Sequence, residues 1–137
     1  MKCPACGGDL KSRLAGAIAV DVCEGGCGGV WFDNFELRKV DEAGVQVIRG
    51  VQRDFALHVD RESRRRCPKC DDQFMMRRYF SRLRRTQVDE CPNCAGMWLD
   101  AGEFDAIRAE LKESPDTATL NTALNHTVAM LRGRSGM

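Results

Sequence analysis

Eight cysteines fall into two sets of four, and both sets follow one plan. A C-x-x-C turn, CPAC (3–6) or CPKC (67–70), leads into an arm and then a second pair, CEGGC (23–27) or CPNC (91–94). Each second pair runs on into a recurring phrase, CGGVWFDNFEL (27–37) and CAGMWLDAGEF (94–104), which holds the chain's two tryptophans, Trp31 and Trp98. The shared pattern is a Cys, a Gly two residues on, an apolar residue before Trp, and an Asp three residues before a Glu. A chain of 137 residues with such a duplication is one ordinary domain or two very small ones.

The spacing has a chemical reason. A C-x-x-C turn aims two sulfurs at one point, and its backbone N–H groups can donate to them. Two such turns face to face offer four thiolates at tetrahedral corners, the closed shell of a structural zinc site. Pro4, Pro68 and Pro92 preset the turns, and Gly7 eases the exit from the first. The expected ligands are Cys3, Cys6, Cys23 and Cys27 for one ion and Cys67, Cys70, Cys91 and Cys94 for a second, hence two Zn²⁺ per chain. The arms, sixteen residues (7–22) and twenty residues (71–90), suit β-hairpins. IAVDV (18–22) is the return strand of the first; QFMMRRYF (73–80) and TQVDE (86–90) are the outward and return strands of the second.

Four thiolates also suit iron, so a rubredoxin-like electron carrier is an alternative. Neither His58 nor His126 is needed as a ligand. A shell of four Cys leaves no position for a reactive water, and the sequence shows no Ser/His/Asp set and no phosphate-cradling loop. The expectation is a protein that is not an enzyme. Repeats this short bury too little apolar surface to fold unaided, so the metal's work is folding.

Asp33 and Glu36, and again Asp100 and Glu103, have the spacing of a helix capping box. Read as caps, these carboxylates are not a catalytic set. Phe104, Ile107 and Leu111 recur at helical intervals and predict a helix of about three turns. Trp31 and Trp98 are expected in the core. Between the repeats, Leu37, Val40, Val45, Ile48, Val51, Phe55 and Val59 predict an amphipathic helix interrupted near Gly44 or Gly50. Its stripe packs internally or, as the sharper alternative, forms a homodimer. A last helix is expected over SPDTATLNTALNHTVAML (114–131), followed by a frayed tail.

The motif CPxCGG-x-L…VDVC…CGGVWFD-x-x-EL resembles the bacterial zinc-ribbon domains named for their likeness to the zinc ribbon of transcription factor IIB. The second repeat, with CPKC and CPNCAGMWLDAGEF, matches nearly throughout. The first departs in having three residues between Cys23 and Cys27, and Asn34-Phe35 where the family has Gly before Glu. The resemblance covers residues 3–40 and 67–107 and implies zinc and the ribbon fold; of function it implies little. The expected architecture is a small metal-stabilised α+β fold. Two tandem zinc ribbons, each a β-hairpin plus a short helix, occupy 1–40 and 67–112, with a helical connector at 41–66 and a C-terminal helix and tail at 113–137.

Charge narrows the partners. The formal net charge of +1 hides −2 over residues 1–60, +5 over 61–90 and −2 over 91–137. Arg77, Arg78, Arg84 and Arg85 with Tyr79 are a candidate nucleic-acid surface, phosphate met by guanidinium and bases by a ring, within a basic stretch spanning 61–85. Eight lost thiol protons and two gained Zn²⁺ change the total by −4, from +1 to −3, and leave residues 1–60 at −4. Phosphate is therefore repelled by the first repeat. A protein-binding adaptor is the favoured function, with a nucleic-acid-associated or transcription-linked regulator as the alternative. The longest apolar run, LAGAIAV (14–20), is too short to span a bilayer, and MKCPACGG lacks a signal-peptide core, so no membrane partner and a cytoplasmic location are expected.

Overall fold

The computed structural model describes residues 1–34 and 36–113; the helix expected over 114–131 lies outside them. Each arm folds back on itself as an antiparallel hairpin. In the first repeat β1 (Lys11–Ala15) returns as β2 (Ile18–Val22), and in the second β4 (Met76–Tyr79) returns as β5 (Gln87–Glu90). The phrase carrying each tryptophan adds a third strand, β3 (Val30–Phe32) or β6 (Met97–Leu99), alongside the return strand.

These third strands pair with one another. β3 and β6 run antiparallel with Val30 opposite Leu99, Trp31 opposite Trp98 and Phe32 opposite Met97. The hairpins thereby merge into one six-stranded sheet, ordered β1-β2-β3-β6-β5-β4. That order reads the same from either edge with repeat exchanged for repeat. The two halves are thus related by an approximate two-fold axis through the Trp31–Trp98 pair.

Alternation along the strands sorts the side chains. Val20, Val22, Val30, Phe32, Val88 and Leu99 lie in one cluster with the buried faces of two helices, α1 (Glu42–Arg53) and α2 (Glu103–Glu113). Val45, Ile48 and Val51 come from α1; Phe104, Ile107 and Leu111 come from α2, at the spacing the sequence predicts. Trp31 and Trp98 belong to a second cluster, with the cysteines and Met75. Both indoles are completely buried, as expected of core residues. An aliphatic core and a metal-and-tryptophan core share one sheet between them.

The connector departs from expectation. α1 runs unbroken through Gly44 and Gly50, and it stops at Arg53, short of Phe55 and Val59. Gly44 serves close approach: a Cβ there would stand 2.6 Å from the Ala15 carbonyl oxygen. After the first phrase the expected helix is only a 3₁₀ turn, Glu36–Lys39, and the α-helix restarts behind a new cap. That cap is Asp41, whose carboxylate accepts the Gly44 N–H at 2.8 Å and the Ala17 N–H at 3.1 Å. It ties the helix start to the β1–β2 turn. Beyond Arg53 the Ala56 and Leu57 N–H groups donate to the Gly26 carbonyl, at 2.7 and 3.0 Å. The end of the connector is spent holding the Cys23–Cys27 turn.

Candidate metal centres

A hairpin returns its second end beside its first, so the turn before each hairpin meets the turn after it. The result is two groups, Cys3/Cys6/Cys23/Cys27 and Cys67/Cys70/Cys91/Cys94, with the Sγ atoms of each all within 4.8 Å of one another. All eight thiols are free. Within the first group Cys3–Cys27 and Cys6–Cys23 are both 3.5 Å apart; within the second Cys67–Cys94 is 3.7 Å and Cys70–Cys91 is 3.9 Å. Four sulfurs each about 2.3 Å from a central zinc would be separated by about 3.8 Å, the edge of the tetrahedron. The two groups fit two Zn²⁺ ions, with every position in the shell taken by thiolate.

Backbone donors prepare the sulfurs for negative charge. Cys3 Sγ accepts from the Ala5 and Cys6 N–H groups at 3.4 and 3.3 Å, and Cys67 Sγ from Lys69 and Cys70 at the same distances. Cys91 Sγ accepts from Asn93 and Cys94, both at 3.4 Å. Without metal the four thiols compete for one charge. The Cys27 thiol, donating to Cys3, brings Cys3 down to about 5, helped by the backbone N–H groups, and Cys27 itself is driven up. Burial pushes Cys23 to about 11 and Cys67 to about 12. Cys91 falls although burial opposes it, because the Cys94 and Asn93 N–H groups outweigh that cost. In each group one thiol is thus shifted toward the thiolate, Cys3 in the first and Cys91 in the second, and a divalent cation supplies what ionises the others.

The extra residue between Cys23 and Cys27 is absorbed without loss of a ligand. Gly26 and Gly28 both donate to the Cys23 carbonyl, at 3.3 and 3.0 Å, and the turn closes with Cys23 N–H on the Gly29 carbonyl at 2.9 Å. In the second repeat Cys91 N–H meets the Gly96 carbonyl at the same 2.9 Å.

Gly29 and Gly96 have a second duty. A Cβ on Gly29 would stand 2.0 Å from Cζ2 of Trp98, and one on Gly96 would stand 2.1 Å from Cζ2 of Trp31. Each tryptophan lies on the other repeat's glycine, so the halves interlock. The Gly-x-Trp spacing was visible in the sequence; that the pairing is reciprocal was not.

The acidic residues of the phrases are only half caps. Glu36 and Glu103 accept the backbone N–H of Asp33 and Asp100, at 2.9 and 2.7 Å, as a capping box requires. The two aspartates instead accept the indole N–H of their own tryptophan, Trp31 to Asp33 at 3.1 Å and Trp98 to Asp100 at 3.0 Å. The start of α2 is capped from a distance. Gln52 Oε1, on α1, accepts the Gly102 and Phe104 N–H groups, both at 3.1 Å, while its Nε2 donates to the Leu99 and Asp100 carbonyls. Sequence reasoning missed Gln52, and a lone glutamine in an amphipathic helix carries no signal of it.

The basic stretch is largely committed to carboxylates. Arg77 Nε lies 3.1 Å from Asp89, Arg78 Nε 2.5 Å from Glu90, and Arg85 Nη1 2.7 Å from Glu113. Arg84 and Tyr79 are exposed. Arg65, fully buried, reaches both oxygens of Asp100 at 2.9 Å and Asp89 at 3.4 Å. Four of the five residues put forward for nucleic acid, Arg77, Tyr79, Arg84 and Arg85, line one cleft, which they share with the carboxylates of Glu62, Asp89, Asp100 and Glu103; Arg78 lies outside it.

The family profile described as "Transcription factor zinc-finger" matches residues 2–43 and 66–110, well over half of the chain and both repeats. It favours zinc over iron as the occupant of the four-thiolate groups. Neither a curated protein nor a solved structure matches the chain. Among the described residues no helix is long and apolar enough to cross a membrane.

Proposed function

We propose that this chain, which belongs to the transcription factor zinc-finger family, is a non-enzymatic tandem zinc-ribbon protein that docks a protein partner. The observation that carries this is the closure of both shells: four sulfurs within 4.8 Å in each group leave a bound zinc no side for substrate or water. The zinc ions fold the chain, and the fused sheet is then a rigid platform. Two features support protein over nucleic acid as the partner. Arg77, Arg78 and Arg85 spend their charge on Asp89, Glu90 and Glu113, and the zinc-loaded first half is acidic.

The test is capture of a partner on the zinc-loaded chain from nuclease-treated extract, alongside a DNA and RNA binding assay over a range of salt. A stoichiometric protein complex that survives nuclease is expected. Salt-sensitive binding to nucleic acid, lost when Arg84 and Arg85 become Ala, would replace this function with the transcription-linked alternative.

A further inference from the structure

In the second repeat Asp100 accepts the Trp98 indole N–H, and Asp89 lies opposite Trp98 on the neighbouring strand. Glu103 accepts the Asp100 backbone N–H, and two arginines answer the aspartates. Arg65 holds Asp100 and Asp89; Arg77 holds Asp89 from the neighbouring strand. The two-fold relation gives every one of these residues a counterpart in the first repeat. Asp21 lies opposite Trp31 as Asp89 lies opposite Trp98. Asp33 and Glu36 make the same indole and backbone hydrogen bonds as Asp100 and Glu103.

The acids are repeated and the arginines are not. Met1 stands where Arg65 stands: their carbonyls accept the equivalent N–H groups, Leu10 at 3.0 Å and Met75 at 2.8 Å. Ser12 stands where Arg77 stands, opposite Asp21 as Arg77 is opposite Asp89. Lys69 Nζ comes within 3.4 Å of Asp33, with more than half its side chain exposed, and the Met1 amine acts on Asp21 only through space. Among the described residues the Asp21 side chain has no hydrogen bond or ion pair.

We propose that Asp21 and Asp33 seat the guanidinium of an arginine on a partner protein, as Asp89 and Asp100 seat Arg65. The second repeat is the built example of the site: the same carboxylates in the same fold hold a planar donor on both oxygens of one aspartate. Arginine suits this better than lysine because its nitrogens serve separate acceptors at once: in the second repeat Arg65 Nη1 meets the carboxylates of Asp89 and Asp100 while Nη2 donates to the Asp60 carbonyl at 2.8 Å. The acidic charge of the zinc-loaded first half favours a basic polypeptide and repels phosphate. This rests on the protein-docking function above and names the chemistry of its partner.

The two tryptophans give a direct readout, since the Trp31 N–H bonds to Asp33 and the Trp98 N–H to an aspartate that Arg65 already holds. A capped Gly-Arg-Gly peptide, with Gly-Lys-Gly as the second arm, is titrated into the zinc-loaded full chain while both indole N–H resonances are followed by NMR. The Trp31 resonance is expected to shift saturably with the arginine peptide and less with lysine, and the Trp98 resonance to stay. Asp21→Asn is expected to weaken the arginine peptide by about fivefold. Ser12→Arg, on the exposed edge strand, installs the counterpart of Arg77 and is expected to weaken it equally with both zinc ions retained; it decides the matter if Asp21→Asn fails to fold. Movement of neither indole or of both alike, or a peptide affinity unchanged by Ser12→Arg, overturns the arginine seat. A Trp31 shift that follows protein concentration without peptide overturns it too, since the arginine would then come from a second copy. A natural partner captured equally by wild type and Ser12→Arg overturns the seat and leaves the adaptor function standing. A Trp31 response with no partner captured does the reverse.

Discussion

Gly29 and Gly96 show how a residue can be legible as a motif and opaque as a cause. Their spacing to tryptophan repeats in the sequence, yet the atom each must avoid belongs to the other repeat, more than sixty residues away. Gly96→Ala would press a methyl group into the ring of Trp31, and Gly29→Ala one into Trp98. Neither ring can retreat, since both are buried in the sheet's metal-side core. Each substitution is expected to cost about 2–3 kcal/mol, read from urea unfolding of the zinc-loaded protein. Gly50→Ala is the control, because a Cβ there meets nothing within 4 Å. The cysteines, by contrast, were legible completely. Ligand chemistry dictates which residues appear and how far apart, whereas packing dictates only that something small be present.

At the scale of elements, the strands and α2 were readable from alternation and helical spacing, while the caps were misassigned. Capping spacing identifies Asp-x-x-Glu, but it does not reveal that a neighbouring indole will take the aspartate and that Gln52 will take the N–H groups of α2. Glu103, inside that arrangement, has a measurable consequence. Burial raises its carboxyl to about 7, and the Asp100 charge adds to the shift while Arg61 opposes it. An unfolded glutamate titrates near 4.5. Between those values the folded chain keeps a proton the unfolded chain has lost, so this group's contribution is greatest below about 4.5 and declines as pH rises to about 7. Glu103→Gln is expected to be more stable than wild type at pH 8, by about 1–3 kcal/mol, and to differ little near pH 5. Paired unfolding curves of the two zinc-loaded proteins across that range give the comparison, and an unchanged difference would place the Glu103 carboxyl in water.

For the whole molecule the decisive feature is the β3–β6 joint, which the sequence does not announce because Val-Trp-Phe and Met-Trp-Leu could each end a separate sheet. It couples two metal centres that the cysteine pattern presents as independent. Protein purified without added metal is expected to contain two zinc ions per chain, and chelation to abolish cooperative melting. Cys91→Ser is expected to keep about one zinc ion and still lower the protection of β2 and β3, measured by hydrogen exchange, because β6 no longer covers them. Retention of both ions with full protection would show that the turns are not paired as described here. The same joint has the form of an isologous dimer contact, like surface meeting like surface, carried out within a single polypeptide. A true dimer of identical chains must place the same residue on both sides of its axis, whereas a tethered pair is released from that obligation. One half can keep its arginines while the other replaces them, and the covalent link holds the mismatched halves together.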